Sequence, residues 1–366
     1  MLETWRRTVW RLLWHELMKE RSKQHPVAQS TLSIATRLYE AISTHRRHYY
    51  MKKPRQKLPI PTISFGNVTW GGTGKTPCLH YVARYLIAKN VRLMLVSRGY
   101  GDDEWKVFAV EFPNSLLALG KNRFENAMKE LKSHGMPTNV VALVDDGLQQ
   151  YTLHKDLEIV MVDAYNPFGN GSLLPRGRLR EYPDIALPRA DIVILHHADH
   201  LTQEASDALQ SSIRLHIKPA TIIATTHMAL TSLPLARELL TNGSIRGLKV
   251  EPFPKPQVIV GFCGIGCPGS FKNVLQTTFP DAEVYVEFFP DHYDYTSSDM
   301  DYVKSKLRQK YENKNVVIIT TEKDFFRSKE VLCRSWDRYD FRVAMCEIEF
   351  TQERDAVIER IESLLE

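Results

Sequence analysis

The stretch Ile63-Ser64-Phe65-Gly66-Asn67-Val68-Thr69-Trp70-Gly71-Gly72-Thr73-Gly74-Lys75-Thr76-Pro77 leaves few folds open to this chain. An apolar run, Pro61 to Phe65, leads in, and a helical pattern with apolar Leu79, Val82, Ala83, Leu86 and Ile87 leads out. Between a strand and a helix, glycines let successive backbone N–H groups turn toward one anion, and the helix adds its positive end. Residues Thr69, Trp70, Gly71, Gly72, Thr73, Gly74, Lys75 and Thr76 are therefore expected to wrap the phosphates of a nucleotide. Lys75 would reach the outer phosphates and the Thr76 hydroxyl would hold Mg²⁺. The usual spacing puts glycine where Thr69 stands. The alternative is a glycine-rich turn with an exposed lysine, which the strand and helix flanks disfavour.

The apolar strand Val140 to Val144 ends in Asp145-Asp146-Gly147. An acidic pair at a strand end is the usual partner of a phosphate loop, and Asp145 or Asp146 would fix the Mg²⁺. The strand Val91 to Val96 ends in Ser97-Arg98-Gly99-Tyr100-Gly101-Asp102-Asp103-Glu104, a solvated turn or part of the site. The strand Leu157 to Val162 ends at Asp163, and a loop with Asn166 follows. Arg176, Arg178 and Arg180 alternate beside glycine and proline, as an anion clamp or as an exposed basic loop. With a strand at Asp191 to Leu195, the strand–helix alternation from 60 to 230 predicts a parallel sheet covered on both faces.

We divide the chain into an N-terminal helical segment, 1–58, a phosphate-loop α/β domain, 59–245, and a smaller α/β domain, 246–366. Pro and Gly near 245–257 mark the second boundary. The smaller unit has strands at 258–263, 284–289 and 316–320, with Gly264 and Gly266 at its first turn. His292, after Pro290-Asp291, could orient a carboxylate, shuttle a proton or be plain polar surface. Five scattered cysteines suggest no disulfide framework. Cys263 and Cys267 are half a metal site or small residues in a turn, and no matching histidine cluster follows them in the sequence.

Charge is uneven. Residues 1–60 hold 13 Lys+Arg against 4 Asp+Glu, while the remainder is net acidic. That excludes a general nucleic-acid surface and points to an anionic partner at one end. Residues 3–20 read as a helix carrying Trp5, Trp10 and Trp14 beside Arg6, Arg7 and Arg11. A second helical pattern spans 29–50, and a basic run follows from Arg46 to Lys57. This segment is expected to lie on a membrane surface. A packed terminal helix and an organelle presequence are the alternatives.

The motifs Gly66 to Pro77, Ser97-Arg98-Gly99-Tyr100, Asp145-Asp146-Gly147-Leu148-Gln149, Leu153 to Leu157, Leu174 to Glu181, Gly264-Ile265-Gly266, Phe289-Pro290-Asp291-His292 and Thr321-Glu322-Lys323-Asp324 keep one order along the chain. In this the chain resembles the tetraacyldisaccharide 4′-kinases. The resemblance implies that ATP, with Mg²⁺, phosphorylates the 4′-hydroxyl of an acylated glucosamine disaccharide 1-phosphate at a membrane face. It implies a cleft closing between two domains, and a carboxylate paired with His292 as the catalytic base. Asp103 best matches that carboxylate, with Asp102 as the fallback, and Lys75 completes the catalytic set. Arg98, Tyr100, Asn166, Arg176, Arg178, Arg180 and Glu181 are assigned to the substrate. Gln150 and Tyr182 depart from the family pattern. Trp70 and the short acidic loop look plant-type, which implies a mitochondrial protein; otherwise the cytoplasmic face of an inner membrane is implied. A monomer is expected. Rival readings are a nucleotide-dependent switch acting on a protein partner and a catalytically impaired relative that only binds the lipid.

Overall fold

The computed structural model describes residues 26–99, 104–242, 255–311 and 314–365. The helix expected over 3–20, the acidic loop with Tyr100, Asp102 and Asp103, and most of the boundary near 245–257 lie outside the described residues. The chain opens with helix α1 (Pro26–Met51). The nucleotide-loop half then runs β1 (Thr62–Asn67), α2 (Lys75–Ala88), β2 (Arg92–Ser97), α3 (Glu104–Glu111), β3 (Leu116–Leu119), α4 (Arg123–Ser133) and β4 (Val140–Asp145). It continues with β5 (Leu157–Asp163), β6 (Ile192–His196), α5 (Gln203–Arg214), β7 (Ile222–Ser232) and α6 (Ala236–Asn242). The second half runs β8 (Val258–Cys263), α7 (Pro268–Thr278), β9 (Glu283–Phe288), α8 (Ser297–Tyr311), β10 (Val316–Thr321), α9 (Glu322–Ser335), β11 (Asp340–Gln352) and α10 (Arg354–Glu362).

Strands buried on both faces need unbroken apolar runs, and these have them. In β1, Ile63 and Phe65 join one core with Leu79, Val82 and Leu86 of α2. On the neighbouring strands, Met94 and Val96 of β2 and Ala142 and Val144 of β4 enter a second core on the opposite face. Ile87, expected on the buried face of α2, is 38% exposed. It follows Leu86 by one helical step of about 100°, which turns it off the stripe that meets the sheet.

All eleven described strands belong to one sheet, in the order β3-β2-β4-β1-β5-β6-β7-β11-β10-β8-β9. Every pairing is parallel except β7 with β11. That antiparallel seam was not foreseen, nor was β3. The expected parallel sheet is correct for each half, but the two halves share a single mixed sheet. Strand β11 starts beside β10, with Phe341 opposite Ile318, and ends beside β7, with Phe350 opposite Thr226. Helix α10 then puts Val357 and Ile361 into the core beneath β1. No helix among the described residues is long and apolar enough to cross a membrane.

Candidate active site

The site gathers where the parallel strands end at their carboxyl edge, the place open α/β sheets keep for ligands. β1 ends in Asn67, whose Nδ2 donates to Thr73 Oγ1 at 3.1 Å and draws the loop closed. Gly74, with φ 81°, caps α2 in the left-handed region, and Gly71 has φ 118°. A Cβ on Gly74 would stand 2.3 Å from the His196 ring, so both conformation and space require glycine there. The approach to the loop is held by a short antiparallel contact. Trp70 N donates to the Arg178 carbonyl at 2.7 Å, Arg180 N donates to the Val68 carbonyl at 2.8 Å, and Thr69 pairs with Leu179. Arg178 Nε also donates to the Trp70 carbonyl at 3.0 Å. The arginine loop and the phosphate loop are therefore one unit.

The acidic pair meets this unit. Asp145 is the last residue of β4, beside Phe65 of β1, and accepts from Ser97 Oγ at 3.3 Å. Asp146, at φ 52°, stands 3.7 Å from Lys75 Nζ and takes Arg180 Nη1 on both oxygens at 2.6 and 2.7 Å. Desolvation would raise the Asp146 pKa, but Lys75, Arg180 and Arg123 outweigh it and hold the carboxyl below its ordinary range. Gly147 lets the turn pack on β1, since a Cβ there would sit 2.1 Å from Ser64 Oγ.

The second half reaches the loop through the turn after β8. A Cβ on Gly266 would stand 2.3 Å from the Gly72 amide nitrogen, so two glycines make this close approach possible. That turn meets the one after β9, which carries His292, whose N–H donates to the Gly264 carbonyl at 3.1 Å. Its ring lies 3.5 Å from Lys323 Nζ and 3.3 Å from Arg327 Nη2. Asp324, fully buried, accepts from the Gly264 N–H at 3.0 Å and from Thr321 Oγ1 at 2.6 Å. Burial raises its pKa. The Thr321-Glu322-Lys323-Asp324 motif is thus a helix cap that also fixes the turn between loop and histidine.

Of the other expected site residues, Arg98 is exposed at the end of β2. Arg176 is tied through its backbone, its N–H to Thr36 Oγ1 and its carbonyl to Asn170 Nδ2. Asn166 stands in the turn after β5, its N–H donating to the Asp163 carbonyl at 3.1 Å. Glu181, assigned to the substrate, is buried and already held: Arg189 donates to both its oxygens at 3.0 and 2.8 Å, and Gln149 Nε2 to one at 3.1 Å. That geometry braces the arginine loop. Asp103 and Tyr100 lie outside the described residues.

One group of side chains escaped the sequence reading. Asp163, His197 and Cys267 come together under the loop, and His196 packs on Gly74. The histidine partner of Cys267 precedes it by 70 residues, just past the end of β6, where no local spacing would reveal it. Cys263 and Cys267 themselves are both free thiols.

Comparison with known proteins gave four matches. The family model described as tetraacyldisaccharide-1-P 4′-kinase matches residues 28–366. A protein of Arabidopsis thaliana named "Probable tetraacyldisaccharide 4′-kinase, mitochondrial" is 29% identical, over 87% of this chain and 86% of its own length. The tetraacyldisaccharide 4′-kinase of Halothermothrix orenii is 32% identical, over 80% of this chain and 81% of its own. Among solved structures, LpxK of Aquifex aeolicus in complex with ATP superposes with a TM-score of 0.62 at 23% identity, covering 92% of this chain and 99% of that one. At that identity the superposition establishes the fold.

Proposed function

The chain belongs to the tetraacyldisaccharide-1-P 4′-kinase family, and we propose that it moves the γ-phosphoryl group of ATP onto the 4′-hydroxyl of a tetraacyl glucosamine disaccharide 1-phosphate. The observation that carries this reading for the chain's own residues is the 3.7 Å approach of Lys75 to Asp146 at the mouth of a glycine loop. A polyphosphate lying along that loop meets Lys75 and the first amides of α2 on one side and the acidic pair on the other.

The donor set fits Mg²⁺: two carboxylates and a threonine hydroxyl, all hard oxygens, at the strand edge. Thr76 with Asp145 or Asp146 would hold the ion, which would neutralise charge building on the phosphates. Every other role falls to the chain. Lys75 and the loop amides orient the triphosphate and spread its charge. Arg180 and Arg178 flank the loop and complete a positive rim, with Arg176 and Arg98 further out toward the sugar 1-phosphate. We assign the proton of the attacking hydroxyl to Asp103, with His292 as its partner. The Gly264–Gly266 turn supports a role for His292, because it links the histidine to the phosphate loop through backbone alone. Little covalent work remains, and positioning and electrostatics supply most of the rate.

The lipid acceptor calls for a membrane surface. Ile34, Leu38 and Ile42 of α1, spaced by four, are 71%, 61% and 59% exposed, and Arg46, Lys52 and Lys53 follow. An apolar stripe with adjoining cations suits the headgroup level of an anionic bilayer. We extend the mitochondrial placement in the Arabidopsis thaliana relative's name to this chain.

The test is to incubate purified protein with ATP, Mg²⁺ and a tetraacyl disaccharide 1-phosphate and look for a second phosphate on the lipid by mass. ATP consumption without lipid product would favour a nucleotide switch. Lipid binding without product would favour an impaired relative.

A further inference from the structure

Asp163 ends β5, His197 follows β6, and Cys267 caps α7 from the other half of the molecule. A carboxylate oxygen, a ring nitrogen and the sulfur all lie within 4.8 Å of one another. Asp163 Oδ1 is 3.0 Å from His197 Nδ1, a hydrogen-bond distance. With Nδ1–H given to the carboxylate, the imidazole is fixed in orientation and its cationic form is favoured. Both side chains are 5% exposed, so little water screens the pair. Burial by itself would lower the His197 pKa. The bonds to Asp163 and Cys267 overcome that and lift it to about 9.

The other thiols differ. Burial pushes Cys78 and Cys346 up to about 12, and raises Cys263 and Cys333 as well. Cys267 is half-buried and stands at the amino end of an eleven-residue helix, within reach of the His197 ring.

We propose that Cys267 is a nucleophilic thiol, set by the His197–Asp163 pair to exchange with low-molecular-weight disulfides. His197 holds the proton that Cys267 gives up, and the sulfur attacks one sulfur of the small disulfide. The new S–S bond forms as the old one breaks, and the departing thiolate takes the proton from His197. The disulfide is the oxidant, and no other reagent is consumed. The site has a consequence for the neighbouring loop. A Cβ on Gly72 would stand 3.2 Å from the Cys267 nitrogen, so the phosphate loop rests against the residue that would carry the adduct. A mixed disulfide there crowds the loop, and a nucleotide in the loop shields the sulfur.

The experiment treats the full chain with limiting glutathione disulfide, or with iodoacetamide as a generic electrophile, and maps the modified cysteine by mass. Cys267 is expected to react about tenfold or more faster than a cysteine peptide at pH 6.5. In His197→Gln the rate should fall and climb with pH toward a midpoint near about 8.5, the ordinary thiol value. Because His197 is buried, Asp163→Asn provides a second variant with the same pH readout. Labelling of wild-type Cys267 no faster than the peptide would overturn the proposal. So would a stoichiometric zinc ion in the purified protein whose removal unmasks the thiol. Protection by ATP is the one arm that rests on the proposed function. Fast labelling without such protection would uphold the thiol and count against the nucleotide placement.

Discussion

Lys75 and Arg180 both lean on Asp146, which places three charges at the point where the phosphates are expected. A phosphate arriving there would exchange Lys75 from carboxylate to phosphate without moving it into new solvent. Lys75→Ala should therefore reduce lipid phosphorylation by about 10²–10⁴, as removal of other preorganised charge-stabilising groups does. Its melting temperature should stay close to wild type. Near-normal turnover in that variant would remove the nucleotide from this loop. Asp103→Asn and His292→Ala should each lower kcat with little change in ATP affinity; a selective effect of Asp102→Asn would move the base by one residue. His197 gives a pH signature of its own. Its folded pKa of about 9 lies above the ordinary 6.5, so its stabilisation is complete below pH 6.5 and is lost as pH rises through about 9. The difference in melting temperature between wild type and His197→Gln should shrink across that window. A constant difference would show that His197 does not change protonation with unfolding. The sequence made Lys75 and Asp146 legible because each sits in a local pattern of strand, turn and glycine. His197 was not legible, because its partners arrive from β5 and α7.

The phosphate loop depends on elements that lie far away in the chain. Its entry segment, Val68–Trp70, is paired with Arg178–Arg180, and α1 holds that arginine loop through Tyr39 Oη on the Arg180 carbonyl at 3.1 Å. Gly74→Ala should thus abolish nucleotide binding well before it unfolds the protein, since φ 81° and the His196 ring together leave no place for a methyl group. Retained ATP affinity in that variant would show that the loop can reshape. The same α1 turns Leu38 and Ile42 outward. Replacing both with glutamate should weaken co-sedimentation with anionic vesicles by about tenfold or more, taking roughly 1.5 kcal/mol for each apolar side chain withdrawn from lipid. Unchanged vesicle binding would assign the stripe another role. Helix α1 and the strands around the loop could be read from periodicity and turn residues. Strands β7 and β11 could not. Thr225, Thr226, His227, Glu347 and Glu349 interrupt their apolar runs, and their pairing is set by a partner more than 100 residues away.

At the scale of the molecule, two α/β halves share one sheet across the β7–β11 seam, and the site lies where their carboxyl edges meet. The parallel halves were legible from alternating strands and helices; the join was not, because it depends on tertiary pairing alone. Closing the halves around a substrate would have to bend this seam or move the Gly264–Gly266 turn against Gly72. Core packing also crosses it. Ile361 is fully buried with Phe65 and Leu86, so Ile361→Ala should cost about 2–5 kcal/mol and be felt as lost nucleotide binding at elevated temperature. A melting temperature unchanged by that substitution would mean α10 is dispensable. If it is not, synthesis has an order imposed on it. The layer beneath the phosphate loop stays unfinished until residues 340–362 have cleared the ribosome. Through most of translation the nascent chain must then carry an exposed apolar flank beside Phe65 and Leu86.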